Sequence, residues 1–322
     1  MMNGVPQLDD ILDRLHVVAL PMRVRFRGIT VREVALIDGP AGWGEFGAFP
    51  EYGPAEAAHW LASALEAAYE PPPAVRRDRI AINATVPAVD AARVPEVLAR
   101  FPGTRTAKVK VAEPGQTLAD DVARVDAVRA HVPTVRVDAN GGWTVDEAVR
   151  AATALTAGGP LEYLEQPCAT VAELAELRRR IDVPVAADES IRKADDPLHV
   201  VRAKAADVAV LKVAPLGGVR AMLGIAEQID IPIVVSSALD SAVGIGRGLL
   251  AAAALPRLEH ACGLGTGSLF ADDVAEPARP VDGCLPVAPA VPDPHRLETL
   301  AAVPERRQWW IDRVRVCHPL TR

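Results

Sequence analysis

Polar residues recur at a nearly constant spacing along most of this chain, each at the end of a short apolar run. The landmarks, 23 to 28 residues apart, are Lys110, Asp138, Glu165, Asp188, Lys212, Ser236 and Gly263. Alanine-rich segments long enough for helices lie between the runs. Strands that alternate with helices form right-handed βαβ units around a parallel sheet. The spacing therefore predicts an α/β fold with about eight such units.

Eight short, β-branched runs are the predicted strands of this sheet. They are Ile80–Asn83, Ala107–Val111, Val135–Asp138, Leu161–Glu165, Val185–Asp188, Val208–Lys212, Ile233–Ser236 and Leu258–Gly263. Eight units fit a TIM-type barrel, whose catalytic groups lie at the carboxyl ends of the strands. The alternative is an open doubly wound sheet, which typically has a glycine-rich phosphate turn after its first strand. Residues 83–85 read Asn-Ala-Thr, so the barrel is favoured.

The helices between these strands have clear predicted starts. Thr117 precedes a helical segment, and Thr144 and Thr170 each lie three residues before a glutamate, the spacing of a capping box. The predicted helices are Leu118–His131, Val145–Ala157, Val171–Ile181, Gly218–Gln228 and Ser241–Leu255.

The two ends of the chain differ from this pattern. Residues 1–78 combine alternating extended runs with one predicted helix, Ala55–Tyr69, and predict an α+β capping domain. Residues 79–270 form the predicted barrel, and residues 271–322, rich in proline, are predicted to return to the cap.

Composition excludes several classes of function. A net charge of −7 argues against a nucleic-acid partner, which needs a clustered basic face. No apolar run reaches the roughly 18 residues of a membrane span, and the first residues lack the pattern of a signal peptide. The four cysteines are far apart in sequence, so we expect reduced thiols and a cytoplasmic protein.

Lysine is scarce in this chain: it has 35 basic residues, and only five are lysines. A bias in codon usage explains much of this. An arginine keeps its proton at any accessible pH, however, whereas a buried lysine can act as an acid or a base. Lys108 and Lys110 both point inward from the second predicted strand, and Lys212 ends the sixth, across the barrel mouth. The other two, Lys193 and Lys204, fit the surface.

Asp138, Glu165 and Asp188 end three consecutive predicted strands and should converge at the barrel mouth. A single acid there would more often pair with an arginine or cap a helix. Three unpaired carboxylates would repel one another, and a divalent cation resolves that repulsion. Oxygen ligands without cysteine or histidine indicate Mg²⁺.

Weaker signals surround these residues. Asn83 and Asn140 lie at strand ends, while the pairs Ser236-Ser237 and Gly263-Leu264 close the last two predicted strands. All six are candidate substrate contacts, although residues of these types are also ordinary turn formers. None of the seven histidines ends a barrel strand.

These motifs resemble the enolase superfamily, in its muconate-lactonizing subgroup, and within it the o-succinylbenzoate synthase family. The residues that carry the resemblance are Lys108-Val109-Lys110, Asp138-Ala139-Asn140, Glu165-Gln166-Pro167, Asp188-Glu189-Ser190 and Leu211-Lys212-Val213, together with Gly42-Trp43-Gly44-Glu45-Phe46 and Gly263-Leu264-Gly265-Thr266. The resemblance covers nearly the whole chain. It implies a modified (β/α)7β TIM barrel with a capping domain built from both ends of the chain.

The resemblance also implies a reaction. This is the Mg²⁺-dependent syn dehydration of 2-succinyl-6-hydroxy-2,4-cyclohexadiene-1-carboxylate to 2-succinylbenzoate, a step of menaquinone biosynthesis that passes through an enediolate. Asp138, Glu165 and Asp188 would bind the metal. Lys110 would remove the proton and return it to the departing hydroxyl, Lys108 would keep the pKa of that base low, and Lys212 would stay protonated on the opposite face.

The succinyl arm would lie against Ser236, Ser237 and Gly263, closed off by the cap near Pro21–Arg27. One departure is Gly265, where many family members have aspartate.

Three rival functions remain open from the residues alone. An N-acylamino-acid racemase or another epimerase or cycloisomerase of the same superfamily would use Lys110 and Lys212 as opposed bases. A Schiff-base aldolase would need a lysine but no carboxylate triad. A non-catalytic binding protein would retain the acids and lysines at a cost in stability. We expect a small carboxylate substrate, no nucleic-acid or membrane partner, and a monomer or small homo-oligomer.

Overall fold

The N-terminal part of the chain forms an antiparallel sheet covered by a long helix. The structure is a computed structural model and describes residues 6–26, 28–193, 196–276 and 278–321. After helix α1 (Leu8–Asp13), the sheet has the order β1 (Leu15–Phe26), β2 (Ile29–Gly39) and β3 (Gly42–Phe46). The pairing of β1 with β2 is irregular between Pro21 and Phe26, and β1 continues through this irregularity. Helix α2 (Pro54–Tyr69) packs on this sheet and matches the predicted helix.

Seven parallel strands form the second sheet. They are β5 (Ala84–Val86), β6 (Thr106–Lys110), β7 (Thr134–Asp138), β8 (Leu164–Glu165), β9 (Val185–Ala187), β10 (Val208–Lys212) and β11 (Ile233–Ser236), hydrogen-bonded in chain order. Their apolar residues are almost all buried, as expected for parallel strands covered by helices. This confirms the predicted α/β barrel class.

The first and last predicted barrel strands differ from the structure. The run predicted as Ile80–Asn83 is divided: β4 (Arg79–Ala81) pairs antiparallel with β12 (Cys284–Pro286) outside the barrel, and the chain enters the barrel sheet only at β5. The prediction for Leu258–Gly263 was also wrong, because only isolated bridges form there. Cys262 bridges to Ile82 and Gly263 to Ser236, so this short segment joins the two edges of the sheet without becoming a regular strand.

Helices surround the barrel strands. Between β5 and β11 they are α3 (Val94–Leu98), α4 (Leu118–Arg129), α5 (Val145–Thr156), α6 (Val171–Arg178), α7 (Glu189–Arg192), α8 (His199–Arg202) and α9 (Val219–Ala226), and α10 (Ala242–Ala254) follows β11. Complete capping boxes begin α4, α5 and α6, at the three predicted threonines. Within the described parts of the chain, no helix is long and apolar enough to cross a membrane.

The C-terminal tail returns to the N-terminal sheet, as predicted. After α11 (Pro294–Thr299), helix α12 (Pro304–Cys317) packs against α2 and β1. Trp310 is fully buried there, edge-on to Phe46. The same apolar cluster includes Ala238 and Leu239 from the loop after β11. The core of the cap therefore extends to the mouth of the barrel.

Candidate active site

Five neighbouring strands bring the predicted lysines and acids together at one end of the barrel. In the sheet, β7, β8 and β9 lie between β6 and β10. Lys110 is the register partner of Asp138, and Asp138 is the partner of Glu165. Asp188 follows β9 directly. The two lysine-bearing strands thus lie on either side of the three acid-bearing ones, as the sequence predicted.

Lys108 and Lys110 hold the acids of β7 and β8. The Lys108 ammonium donates to Asp138 Oδ2 at 2.9 Å and to Glu165 Oε1 at 2.7 Å. The Lys110 ammonium donates to the same Asp138 oxygen at 2.6 Å and to Asn140 Oδ1 at 2.5 Å. Asn140 has a left-handed backbone, with φ of 48°, and its side-chain amide also donates to Glu189. Both β6 lysines therefore face the interior at the acidic end of the barrel.

Lys212 makes the matching contact on the other side. Its ammonium donates to Asp188 Oδ2 at 2.6 Å. The second oxygen of Asp188 accepts from Arg192 Nε at 3.0 Å, and the Arg192 guanidinium also reaches the Tyr52 hydroxyl of the cap at 3.1 Å. Asp188 is therefore held between two cations, one of which links the barrel to the cap.

We call Asp138, Glu165 and Asp188 the mouth acids. Burial opposes ionisation of Asp138, but Lys108 and Lys110 outweigh it and hold the pKa of this carboxyl well below its usual value. Lys212 and Arg192 likewise overcome burial and lower the pKa of Asp188. Burial and the two neighbouring acids raise the pKa of Glu165 to about 7, although Lys108 opposes them. Three buried carboxylates therefore interact closely enough to repel one another.

The pKa values of Lys212 and Lys108 are shifted in opposite directions. Burial lowers the pKa of Lys212, and Asp188 only partly offsets this. For Lys108 burial acts in the same direction, but Asp138 and Glu165, both within 3 Å of its ammonium, raise its pKa well above the usual value. Lys108 is thus the counter-charge of two mouth acids, whereas the sequence predicted neutralisation by metal alone.

The mouth acids suit a divalent cation by their chemistry. Across residues 6–26, 28–193, 196–276 and 278–321, no three acidic, histidine or cysteine side chains are arranged to hold a metal ion as they stand. Two of the mouth acids instead share the Lys108 ammonium, which already bridges carboxylates on adjacent strands. Three buried carboxylates that end neighbouring strands are a donor set that fits Mg²⁺. Metal binding would require the ammonium groups to give way.

Four of the six predicted substrate contacts line a small cavity beside these charges. They are Asn140, Ser236, Ser237 and Gly263. The structure places the other two elsewhere. Asn83 is fully buried, donates to the Ala84 carbonyl and accepts from Arg136. Leu264 is apolar and packs against α10 at Gly248. The geometry therefore gives no support to substrate contacts at Asn83 and Leu264.

Several residues that line the same cavity were not predicted. Besides Arg192, they are Thr85 and Thr266. Phe26 also lines it, from the cap segment that was expected to close the site, and Arg27, next in that segment, lies outside the described residues. Thr266 Oγ1 lies 2.6 Å from Ser237 Oγ. The alternation of inward-facing and outward-facing residues could have indicated Thr85. It is the register partner of Lys108 on the neighbouring strand, so both side chains face the same side of the sheet. For Phe26, only the family resemblance indicated a place near the lysines.

A second layer of charge lies deeper in the barrel. Arg136, two residues before Asp138, is fully buried. It donates to Glu162 at 2.7 Å, to the Tyr163 hydroxyl at 2.8 Å and to the Ala261 carbonyl at 2.9 Å. An arginine that alternates with valines in a buried strand is the sequence signal that could have indicated this layer.

Comparison with known proteins agrees with this architecture. The family model described as enolase C-terminal domain-like matches residues 91–293, and the one described as enolase N-terminal domain-like matches residues 17–68. The chain is 81% identical to an o-succinylbenzoate synthase of Mycolicibacterium smegmatis, over 99% of this chain and 100% of that protein. The chain belongs to the o-succinylbenzoate synthase family. This confirms the predicted family and its activity as a hydro-lyase.

Other members and more distant structures extend this finding. The o-succinylbenzoate synthase of Mycobacterium tuberculosis is 75% identical, over 99% of this chain and 98% of that protein. A muconate lactonizing enzyme from Pseudomonas fluorescens, solved with muconolactone, superposes with a TM-score of 0.74 at 23% identity, covering 90% of this chain and 98% of the other. That similarity shows the fold alone. Members of the enolase superfamily generally depend on a divalent metal ion.

Proposed function

We propose that the cavity between Lys110 and Lys212 is the active site, and that it converts 2-succinyl-6-hydroxy-2,4-cyclohexadiene-1-carboxylate to 2-succinylbenzoate by removing water. Four cationic side chains line this cavity: Lys108, Lys110, Arg192 and Lys212. Asp138 is its only acidic lining residue within the described parts of the chain. This balance suits a substrate that carries two carboxylates, one on the ring and one on the succinyl arm.

Lys110 is the proposed acid and base. As a free amine it takes the proton from the ring carbon next to the carboxylate. The electron pair left on that carbon forms the new ring double bond as the carbon–hydroxyl bond breaks. The same ammonium then gives its proton to the leaving hydroxyl, which departs as water. One side chain can serve both steps because the proton and the hydroxyl leave from the same face.

The mouth acids are the proposed ligands of Mg²⁺. Bound there, the ion would supply stabilisation of the negative charge that develops on the substrate carboxylate.

Lys212 stabilises the same charge from the other side. Its ammonium donates to Asp188 in the structure, and three strands separate it from Lys110. A cation fixed by buried partners needs little reorganisation when charge develops beside it, which favours the transition state.

Polar groups on the far side of the cavity are the proposed contacts for the succinyl arm. Ser237 Oγ donates to the Gly263 carbonyl at 3.0 Å and lies beside the Thr266 hydroxyl. The Thr85 hydroxyl, on the Lys108 side, is buried and has no hydrogen-bond partner among the described residues. A buried hydroxyl of this kind can be satisfied by a bound ligand.

The compartment and pathway follow from the same proposal. Menaquinone synthesis supplies this substrate, and the enzyme acts in a reducing cytoplasm. All four cysteines are free thiols, and three of them are buried. Mg²⁺ and a small dicarboxylate are then the only ligands that the proposed reaction needs.

The observation that carries this proposal is the placement of lysines on both sides of the mouth acids. We expect Lys110→Ala to lower kcat by about 10²–10⁴-fold, the typical contribution of a general acid–base group. Lys212→Ala should lower it as well, with KM for the cyclohexadiene carboxylate less affected. Lys204→Asn is the control, because Lys204 is exposed and its left-handed backbone, with φ of 52°, tolerates asparagine. Activity retained in Lys110→Ala would reject the proposed base.

Opposed lysines also favour a second candidate activity, epimerisation of an N-acylated amino acid. A solved N-succinyl Arg/Lys racemase from Bacillus cereus shares the fold, with a TM-score of 0.75 at 17% identity over 90% of this chain and 97% of that one. Incubation of an N-succinyl amino acid with the enzyme in D₂O decides between the two. Racemisation with deuterium incorporation would establish the second activity, and unchanged substrate would exclude it.

A further inference from the structure

The loop after β11 forms one wall of the active-site cavity. Ser237, Ala238 and Leu239 line the cavity, and Ser241 begins α10. Leu239 has a left-handed backbone, with φ of 63°, which a leucine rarely adopts. Such a conformation persists only where its surroundings hold it in place.

Arg32 holds this loop from the cap. It lies on β2 and is 1% exposed. Its Nε donates to the Leu239 carbonyl at 3.1 Å, and its Nη2 donates to the carbonyl of Gly47. Its guanidinium stacks over the Phe49 ring, 4.2 Å from the centroid. A rigid, buried guanidinium thus joins the strained residue of the loop to the backbone of the cap.

Glu45 holds the C-terminal end of the same loop. It lies on β3, and its carboxyl group accepts from the backbone N–H of Ser241 at 3.1 Å and of Gly244 at 3.1 Å. The Ser241 hydroxyl donates to the same carboxyl oxygen. Glu45 thereby pairs two donors of the first turn of α10 that have no partner within the helix. The two cap residues fix the loop at its middle and at its C-terminal end.

We propose that Arg32 and Glu45 are positioning residues that hold the loop 237–241 in the conformation that shapes the substrate cavity. Their hydrogen bonds described above run to the loop backbone and the cap, so they act on binding through the loop backbone. The side chains of Ala238 and Leu239 belong to the cap's apolar core, which couples the loop to the cap a second way. This inference rests on the proposed assignment of the cavity as the substrate site.

Two variants remove the polar contacts with little change in size: Arg32→Met and Glu45→Met. A displaced loop loses contacts that hold the substrate equally in the ground state and the transition state, so we expect KM to rise at least about tenfold. Because the lysines and mouth acids stay in place, kcat should change less than about threefold. Glu45→Gln keeps an oxygen that accepts from Ser241 and should bring KM back near the wild-type value.

Glu33→Met is the matched control. Glu33 is the neighbour of Arg32 on β2, but it accepts from Arg306 and Trp310 within the cap, at 2.7–3.1 Å. This variant should lower the melting temperature without changing KM. A purely structural role for Arg32 and Glu45 would give the same result in all three methionine variants, and that outcome would overturn the proposal.

Failure of this inference and failure of the proposed function give different results. If Lys110→Ala abolishes activity while Arg32→Met and Glu45→Met leave KM unchanged, the cavity is the active site and the positioning role is wrong. If Lys110→Ala is fully active, the site assignment itself fails. If a methionine variant does not fold, Arg32→Lys replaces it; this variant keeps one donor for Leu239, and we expect an intermediate rise in KM that a structural role would not produce.

Discussion

Two groups of buried acids lie close together in this molecule, and different charges surround them. The first group is the mouth acids. The second, which we call the interface acids, lies where the cap meets the start of α10. Its members are Glu45, Asp240 and Asp273. Both groups contain three carboxylates removed from water, but the mouth acids face ammonium groups and the interface acids face mainly backbone N–H groups.

Their pKa values follow from these partners. Lysines lower the pKa of Asp138 and Asp188 in spite of burial, whereas that of Glu165, between them, is raised by burial to about 7. At the interface, burial raises the pKa of Glu45 to about 8 and that of Asp273 to about 6. Arg32, the cation that faces Glu45, opposes this shift without cancelling it. Burial alone therefore does not mark a functional acid, and the surrounding cations identify the site.

Removing one charge from each group is the strongest test of this comparison. Asp188→Asn removes the charged partner that Lys212 and Arg192 share and leaves both cations buried. Breaking a buried ion pair in this way costs several kcal/mol of stability. The loss of a carboxylate also disrupts the proposed metal site. We expect kcat/KM to fall at least about 10³-fold, because charge stabilisation at the reacting atoms is lost. The stabilisation of the protein by Mg²⁺, measured as a shift in melting temperature, should also disappear.

Asp273→Asn is the corresponding change at the interface. The Asp273 carboxyl accepts from the backbone N–H groups of Ala242 and Val274, and an asparagine oxygen can still accept one of these bonds. We expect kcat/KM within about threefold of the wild type and an unchanged response to Mg²⁺. Equal losses in the two variants would show that the two acid groups are not functionally distinct.

The pH dependence of the free energy of unfolding tests the raised pKa of Glu45 among the interface acids. Because folding raises the pKa of Glu45 from 4.5 to about 8, its contribution to stability is complete below pH 4.5 and is lost as the pH rises through 8. The charged groups facing it are Arg32, Asp240 and Asp273; Asp273, with a pKa of about 6, is half ionised at pH 6 and ionises further in the wild type and in Glu45→Gln alike. Between pH 6 and pH 8 the free energy of unfolding should therefore fall by about 2 kcal/mol more in the wild type than in Glu45→Gln. Urea unfolding at both pH values measures this difference, and parallel curves for the two proteins would contradict it.

The mouth acids could be predicted from the sequence, but the interface acids could not. Asp138, Glu165 and Asp188 each end an apolar run, and parallel strands bring such ends to one edge by a fixed geometry. Glu45 and Asp240 are far apart in sequence and meet only because the cap docks on the barrel. No local period encodes that contact. The contact of Arg32 with the loop after β11 was missed for the same reason.

The limits of the fold prediction have a similar origin. Capping boxes and helix bounds depend on neighbouring residues, and the predicted threonines start their helices as expected. The segments 80–83 and 258–263 are apolar enough for strands, but their partners decide their structure. The first is paired in part with the C-terminal tail, and the second is shared between two edges of the sheet. Pairing of this kind is long-range and leaves no pattern in the segment itself.

A glycine in α10 tests how tightly the interface acids are packed. A Cβ atom at Gly244 would lie 2.6 Å from Asp240 Cβ and 3.0 Å from Glu45 Oε2. Gly244→Ala should therefore lower the free energy of unfolding by about 1–3 kcal/mol, in spite of alanine's better helix propensity. Gly224→Ala on α9 is the control, since nothing lies within 4 Å of its added carbon. It should gain about 0.5–1 kcal/mol, and a loss at Gly224 would point to a general intolerance of alanine in these helices.

The smallest expected effect concerns the buried hydroxyl of Thr85, which lines the cavity at the mouth of the barrel. Thr85 is 1% exposed, and its Oγ1 has no hydrogen-bond partner among the described residues. A buried hydroxyl left unsatisfied costs about 1–3 kcal/mol, so Thr85→Val, which keeps the shape, should raise the free energy of unfolding by about 1 kcal/mol. If the hydroxyl binds substrate, the same variant should raise KM by about fivefold, whereas Thr85→Ser should keep KM near the wild-type value. If Thr85→Val is more stable than the wild type but has a higher KM, the Thr85 hydroxyl contributes to substrate binding. If the hydroxyl had no contact with the substrate, the valine would raise stability and leave KM unchanged.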